Sequence, residues 1–402
     1  MLATSSMGLE PAEAIPELGS AIANPFFENW ALEPALEHLA AGEVELVGVG
    51  DTQHLGAALP LVRWGSAPTG MGPVWAVWDH IHCFDTTPRH CEPDALLDAV
   101  FGFLSRNRAS MLRWTGLPTD TPFFEHLIRY LERNGLQFQR TGTRLRPVLT
   151  ANNGGSGGLE GKRMSEFRRR RRRLEETGKL DVHVYDGAHD ADEWMNDFLE
   201  LEASGWKGAH GTAINCSRNE RLFFERLMRG AASHGRALVC RISLDGRPIA
   251  MTVNLRAGSG IWGFKMAYDA EFARYSPGVI AVSETAAYAR SEPSITWVDS
   301  CMDHDEGPAG ALWHERRQVV DLLISARPSA NWLPRTASLA LDTYRVARGK
   351  VAALWNPDRR AVRGQPVLAR TGESRVSRII TGITSIVVLP DMPTVVLLTA
   401  SM

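Results

Sequence analysis

Two short stretches of this chain concentrate the residue types that move protons or hold anions. Asp303-His304-Asp305-Glu306 sets one histidine among three carboxylates. Histidine titrates near neutrality, and surroundings that disfavour charge can raise a carboxylate toward it, so His304 or Asp303 is suited to general-base work. The same four residues would equally make a solvated acidic loop. Arg168 to Arg173 is an unbroken run of arginines, a pattern that can hold phosphate. Met164, Phe167 and Leu174 share one face of the helix that would carry this run. Glu175 and Glu176 follow Arg171 and Arg172 by four residues, at pairing distance on a helix. The run therefore reads first as a solvated helical surface, and second as a face for an acidic partner: carrier protein, anionic lipid headgroup or tRNA. Lys265, between Phe264 and Met266 in mid-strand, either faces solvent or is functional, because lysine is seldom buried without a partner.

The remaining composition narrows the classes. A chain of 402 residues is long for one domain and suits two. A formal net charge of -2 lacks the broad basic excess of a dedicated DNA binder, so no DNA partner is expected. The cysteines Cys83, Cys91, Cys216, Cys240 and Cys301 form no CxxC pair, which excludes a patterned zinc site and points to reduced thiols in a cytoplasm. No metal is expected. Glu10, Glu13 and Glu17 in the first twenty residues are unlike a signal peptide. No membrane span is expected, since the most apolar stretch, Ile379 to Ala400, is broken by Gly382 and by the Pro390–Pro393 turn. Two terminal strands or a surface hairpin fit that stretch better.

These residues must be positioned by elements that the pattern makes legible. Ala151-Asn-Asn-Gly-Gly-Ser-Gly-Gly158 cannot hold regular structure cheaply and marks a boundary. Before it, helices are expected at 26–39, 95–104 and 122–133, the last closed by Asn134-Gly135, and strands at 44–49, 59–64, 74–78 and 110–115, with 137–150 extended. After it, helices are expected at 193–201, 220–234 and 278–290. Strands are expected at 237–243 and 249–255 across the Asp245-Gly246 turn, then at 261–268, 295–300 and 317–325. The order repeats. His38 leads through strand, turn and strand to Trp75–Asp79, and His234 leads through the same pieces to Trp262–Asp269.

Four blocks carry a resemblance. They are Asn24-Pro25-Phe26-Phe27; Lys162 to Phe167 with the arginines, Leu174-Glu175 and Gly178; Leu201-Glu-Ala-Ser-Gly-Trp-Lys-Gly208 with Gly211-Thr212-Ala213; and Pro248-Ile249-Ala250 through Lys265–Asp269 to Tyr275-Ser-Pro-Gly278. Together they resemble the CelD/BcsL-type acetyltransferases of the GNAT superfamily, whose tandem architecture is similar to that of the Fem transferases. The resemblance implies an α/β fold with mixed sheets, in two tandem GNAT-like lobes. Its expected divisions are a flexible stretch at 1–23, an N-terminal lobe at 24–150, a glycine-rich linker at 151–160, an acyltransferase lobe at 161–327, and a helical segment with a poorly ordered tail at 328–402.

The implied reaction is N-acyl transfer from acyl-CoA or acyl-phosphopantetheine, used as a co-substrate, to an amine on a small molecule, sugar or lipid of the cell envelope. In a GNAT half the thioester lies between two splayed parallel strands, and amides at the N-terminus of the next helix hold the donor's pyrophosphate. The matching positions are Arg274, Ser276, Gly278 and Val279, although the second early glycine of the superfamily pattern is missing. Catalytic candidates are His304, Asp303 and Asp269, with Trp206, Lys207, Lys265 and Tyr268 as substrate contacts. The tyrosine that many GNAT enzymes use as acid has no counterpart, since Trp313 and His314 stand there. An acyl carrier protein partner and peripheral membrane contact stay open. So do two alternatives, a Fem-like aminoacyl-tRNA-dependent transferase and a non-catalytic scaffold of an exopolysaccharide complex.

Overall fold

The computed structural model describes residues 4–8, 17–18, 24–50, 54–66, 71–90, 92–151, 162–205, 208, 210–302, 307–340, 386–387 and 397–398. The first half contains β1 (Thr4–Gly8), β2 (Glu17–Leu18), α1 (Asn29–Leu39), β3 (Val44–Gly50), β4 (His54–Ser66) and β5 (Pro73–Val77). It continues with β6 (Arg89–His90), α2 (Pro93–Arg106), β7 (Met111–Pro118), α3 (Pro122–Arg133) and β8 (Phe138–Thr150). The second half contains α4 (Lys162–Glu175), β9 (Leu180–Tyr185), α5 (Asp192–Ser204), α6 (Arg218–Ser233), β10 (Ala237–Leu244) and β11 (Arg247–Ala257). It ends with β12 (Gly260–Tyr268), α7 (Pro277–Ser291), β13 (Trp297–Asp299), α8 (Pro308–Leu312) and β14 (Glu315–Ser325). A helix at 333–340 follows, and Ile386–Val387 pairs antiparallel with Leu397–Leu398.

Local chemistry explains where these elements start and stop. Thr121 accepts from the Phe124 N–H ahead of Pro122 at the start of α3, and Gly135 takes φ +62° just beyond its end. Ser217 caps α6 in the same way by accepting from the Glu220 N–H. Asp245 and Gly246, at φ +50° and +83°, make the tight turn joining β10 to β11, where Leu244 faces Arg247. Thr4–Gly8, in a stretch read from sequence as flexible, is a strand paired with β3.

All these strands except the tail pair join one mixed sheet. Its order is β1-β3-β4-β5-β7-β14-β8-β13-β12-β11-β10-β9, with β2 and β6 both on β4. Each half makes the same walk: an antiparallel β3-β4-β5 or β10-β11-β12, then a parallel step, β5 to β7 or β12 to β13. Next comes an antiparallel strand lent by the other half. β14 lies between β7 and β8, and β8 lies between β13 and β14. The exchange leaves neither half with a bare sheet edge at the join. It is pinned by Asp321 of β14, which accepts from both terminal nitrogens of Arg144 in β8 at 2.8 Å and from the Gly116 N–H at 3.0 Å. Gly142 makes room for this carboxylate, since a Cβ there would come within 2.6 Å of Asp321 Oδ2. Burial works to raise the Asp321 carboxyl, but the Arg144 guanidinium overrides it and holds it below its ordinary value.

A single core crosses the join. It runs from Phe26 and Leu59 through Trp114 and Phe223 to Trp262 and Phe264. A second core, under α4 and α7, includes Phe167, Leu174, Ile280 and Val298. The arginine run is helical as expected. Phe167 and Leu174 are buried, and Arg171 pairs with Glu175. The side chain of Met164 lies outside the described residues. No Arg172–Glu176 ion pair forms among the described residues.

Candidate active site

The parallel pairing of β12 with β13 ends at Trp262 and Asp299, and beyond those residues the two strands part. Gly263 stands at the fork, where a Cβ would meet the Ser300 carbonyl at 2.9 Å. On its other side β12 pairs with β11, and the register there jumps from Asn254–Gly263 to Val253–Lys265, which leaves Phe264 as a bulge. A bulge frees backbone groups from the ladder and re-aims side chains, so the fork opens into space instead of closing on itself.

That space is a cavity of about 320 Å³, the size of a small-ligand pocket. β12 supplies one wall through residues 263–268, and Ser300, Cys301 and Met302 supply the wall beyond β13. Helices close the sides: Leu201, Glu202 and Gly205 from the end of α5, Val282 and Thr285 from α7, and Pro308, Ala309 and Trp313 from the α8 region. Polar groups within it are few and mostly tied. Thr252 and Thr285 bond through their hydroxyls at 2.9 Å, and Thr285 also donates to the Ala281 carbonyl. The Trp313 indole N–H is buried with no hydrogen-bond partner among the described residues. Burial pushes the Cys301 thiol up, so it stays neutral.

Glu202 is the carboxylate among the described lining residues, and sequence reasoning passed over it. It is 3% exposed, and its Oε2 accepts from the Ile214 N–H at 2.9 Å. The only hint in the sequence was its position in Leu201-Glu-Ala-Ser-Gly, which by itself says nothing of which way it points.

The expected site residues fall into three sets. Lys265 and Tyr268 line the cavity. The Lys265 ammonium lies 5.5 Å from the centre of the Phe264 ring. Behind that ring, His82 of the first half is 3.1 Å from Glu220 Oε2 and stacks on Phe223. Burial pushes the Glu220 carboxyl up, against the pull of the Lys265 charge.

The second set surrounds the turn before α7. Ser276 has φ +58° and receives a hydrogen bond from Arg170 at 2.7 Å, while its carbonyl takes the Val279 and Ile280 N–H groups. Gly278 is buried against the cavity wall, where a Cβ would sit 3.1 Å from Met266 Sδ and 3.4 Å from Tyr268 Cδ1. Arg274 is exposed and packs over Tyr275. Asp269 does not join the cavity. It pairs with Arg247, accepts the Glu271 N–H to cap the 270–275 turn, and so holds this turn in shape. Its carboxylate takes part in holding this turn and is not among the residues that line the cavity.

The third set lies outside the described residues. Asp303, His304, Asp305 and Glu306 follow the cavity-lining Met302, and Trp206 and Lys207 follow the cavity-lining Gly205. Asp299 is spent elsewhere, accepting from the Cys301 N–H at 2.7 Å and pairing with Arg317 at 3.1 Å. Among the described residues no group of three or more His, Cys, Asp or Glu could hold a metal. None of their helices is long and apolar enough to cross a membrane.

With this geometry in view, residues 161–306 match the family model of the acetyltransferase (GNAT) domain. No curated protein matches the chain in sequence. Among solved structures, a conserved protein of unknown function from Bacteroides thetaiotaomicron VPI-5482 is similar at 11% identity and TM-score 0.49, covering 81% of this chain and 99% of its own. FemX is similar at 13% identity and TM-score 0.49, covering 81% and 96%. The C-terminal domain of a putative lysylphosphatidylglycerol synthetase from Agrobacterium fabrum is similar at 14% identity and TM-score 0.48, covering 78% and 91%. The forked strands and most of the residues lining their cavity fall within the matched residues 161–306, whose match is to a GNAT acetyltransferase domain, and the chain is an acyl-transferring enzyme.

Proposed function

We propose that the chain is an N-acyltransferase that takes an acyl group from a phosphopantetheine thioester, with acyl-CoA as its simplest form, and passes it to an amine. The observation that carries this reading is the cavity of about 320 Å³ between the ends of β12 and β13, walled by α5 and α7. The turn at Ser276 and the start of α7 is our candidate for the donor's phosphate end, since Gly278 lies so close to the cavity wall that a Cβ there would meet Met266 Sδ at 3.1 Å. The compact 270–275 turn takes the place of a glycine-rich loop.

In the reaction the neutral amine attacks the thioester carbonyl carbon and forms the C–N bond. The C–S bond breaks, and the thiolate leaves with the proton that the amine gives up. Glu202 is suited to hold the acceptor amine, because its carboxylate is buried and lines a mostly apolar cavity. His304 or Asp303 is our candidate for the base that takes the proton, as both follow Met302 in sequence. Lys265 is suited to a carboxylate or phosphate on the acceptor, with Trp206 and Lys207 as further contacts. An envelope sugar or lipid as acceptor rests on the CelD/BcsL-type resemblance.

The reading is tested by following free thiol released from acetyl-CoA and longer acyl-CoAs across a panel of amines. Amine-dependent release supports it. If no donor yields thiol and coenzyme A does not bind in calorimetry, it fails.

A further inference from the structure

α4 divides the six arginines of its 168–173 run between two tasks. Successive residues on a helix turn by about 100°, so Phe167 and Leu174 share a face with Arg170 and Arg171 at its margins. Those two are committed: Arg170 donates to Ser276 at the donor turn and pairs with Glu166, while Arg171 bonds Glu284 of α7 and Glu175. Arg168, Arg169, Arg172 and Arg173 occupy the opposite face and are all exposed. Arg169 pairs with Glu166, whereas Arg168, Arg172 and Arg173 make no ion pair among the described residues.

Resting on the reading of a phosphopantetheine donor, we propose that this outward face docks the acidic surface of a carrier protein, whose arm then enters at Ser276. A soluble donor seated at the turn would meet Arg170, but the four outward arginines point away from it and would contribute nothing. A partner that extends past the helix uses both faces at once. An acidic protein surface fits better than the other polyanions. The face spans residues 168–173, about 8 Å along the axis, which is short for a phosphate backbone, and the chain as a whole has a net charge of -2. Among the described residues of the helix, the apolar Phe167 and Leu174 are buried and so are not available to insert into a bilayer.

The test uses the full chain, an acidic acyl carrier protein in its holo form as probe, and coenzyme A, with affinities read by calorimetry. The wild type should bind holo-carrier protein with an affinity that falls as salt is raised. Reversing the face with Arg168→Glu, Arg169→Glu, Arg172→Glu and Arg173→Glu together should weaken that binding by about tenfold or more. Coenzyme A affinity should change less than about twofold, because the variants leave Arg170, Arg171 and the turn intact. The four glutamine substitutions should lie between, and circular dichroism checks the fold of each variant. Unchanged carrier affinity in the glutamate variant would overturn the docking face while leaving the donor reading intact. Binding of RNA that is lost in the variant, with no carrier binding by the wild type, would also overturn it. If the wild type binds neither coenzyme A nor holo-carrier protein, the donor reading itself falls, and the docking face with it.

Discussion

Glu202→Gln separates the fold from the chemistry at a single position. Glutamine matches glutamate in shape and keeps a carbonyl oxygen where Glu202 Oε2 now accepts from the Ile214 N–H at 2.9 Å. What changes is the charge. A charge-assisted hydrogen bond becomes a neutral one, a loss of about 1 kcal/mol. The residue is 3% exposed, so the charge is lost in low-dielectric surroundings, where it counts for more than in water. Turnover should then fall by about 10²–10³-fold, the scale of a lost buried electrostatic contact at a reacting centre. Glu202→Ala is the control for structure. It also strands the Ile214 N–H, which should cost about 1–3 kcal/mol, and it enlarges the cavity. Thermal melts and thiol release from the same preparations provide the two readouts. Turnover within about twofold of wild type for the glutamine variant would refute the assignment, whatever the melts show.

Three further outcomes concern Asp321, Gly278 and the 303–305 segment. Asp321→Asn should destabilise the chain by about 2–3 kcal/mol at pH 7, since it leaves the half-buried Arg144 without its bidentate partner. The Asp321 carboxyl is held below its unfolded value of 3.8, so this stability is present above that pH and lost as pH falls through the folded value; denaturant titrations should therefore show the gap between variant and wild type closing in acid. Gly278→Val should weaken coenzyme A binding by about tenfold or more, because the added methyls drive Met266 and Tyr268 into the cavity, and equal affinities in calorimetry would remove Gly278 from the site. His304→Ala or Asp303→Ala should lower turnover by about 10²–10⁴-fold while Asp305→Ala is tolerated, and unchanged turnover in both would leave amine deprotonation to water or to the substrate.

Much of the scaffold was legible because local chemistry dictates it. Thr121-Pro122 and Asn134-Gly135 bracket α3 where the sequence placed it, and Asp245-Gly246 fixes the β10–β11 hairpin. The repeat of helix, strands and a Trp-containing strand was visible too. The exchange of β8 and β14 was not, because strand partners are chosen by side-chain pairs distant in sequence, such as Arg144 with Asp321. The site was read less well for a related reason. Lys265 looked odd in mid-strand, and the Phe264 bulge beside it is a property of two strands together. Asp269 and Glu202 are both acidic residues near element ends. One is tied up by Arg247 and a turn, and the other faces the cavity, a difference that only the packed neighbours reveal.

The central claim is that the fork of β12 and β13 receives the acyl donor, and hydrogen exchange with and without saturating coenzyme A tests it most directly. The donor should slow exchange at residues 263–268, 276–285 and 300–302, which form the cavity walls and the turn. Exchange in β5 and β7, at the equivalent parallel step of the first half, should stay unchanged. Protection at β5 and β7 with none along β12 and α7 would move the donor to the other half and contradict the account.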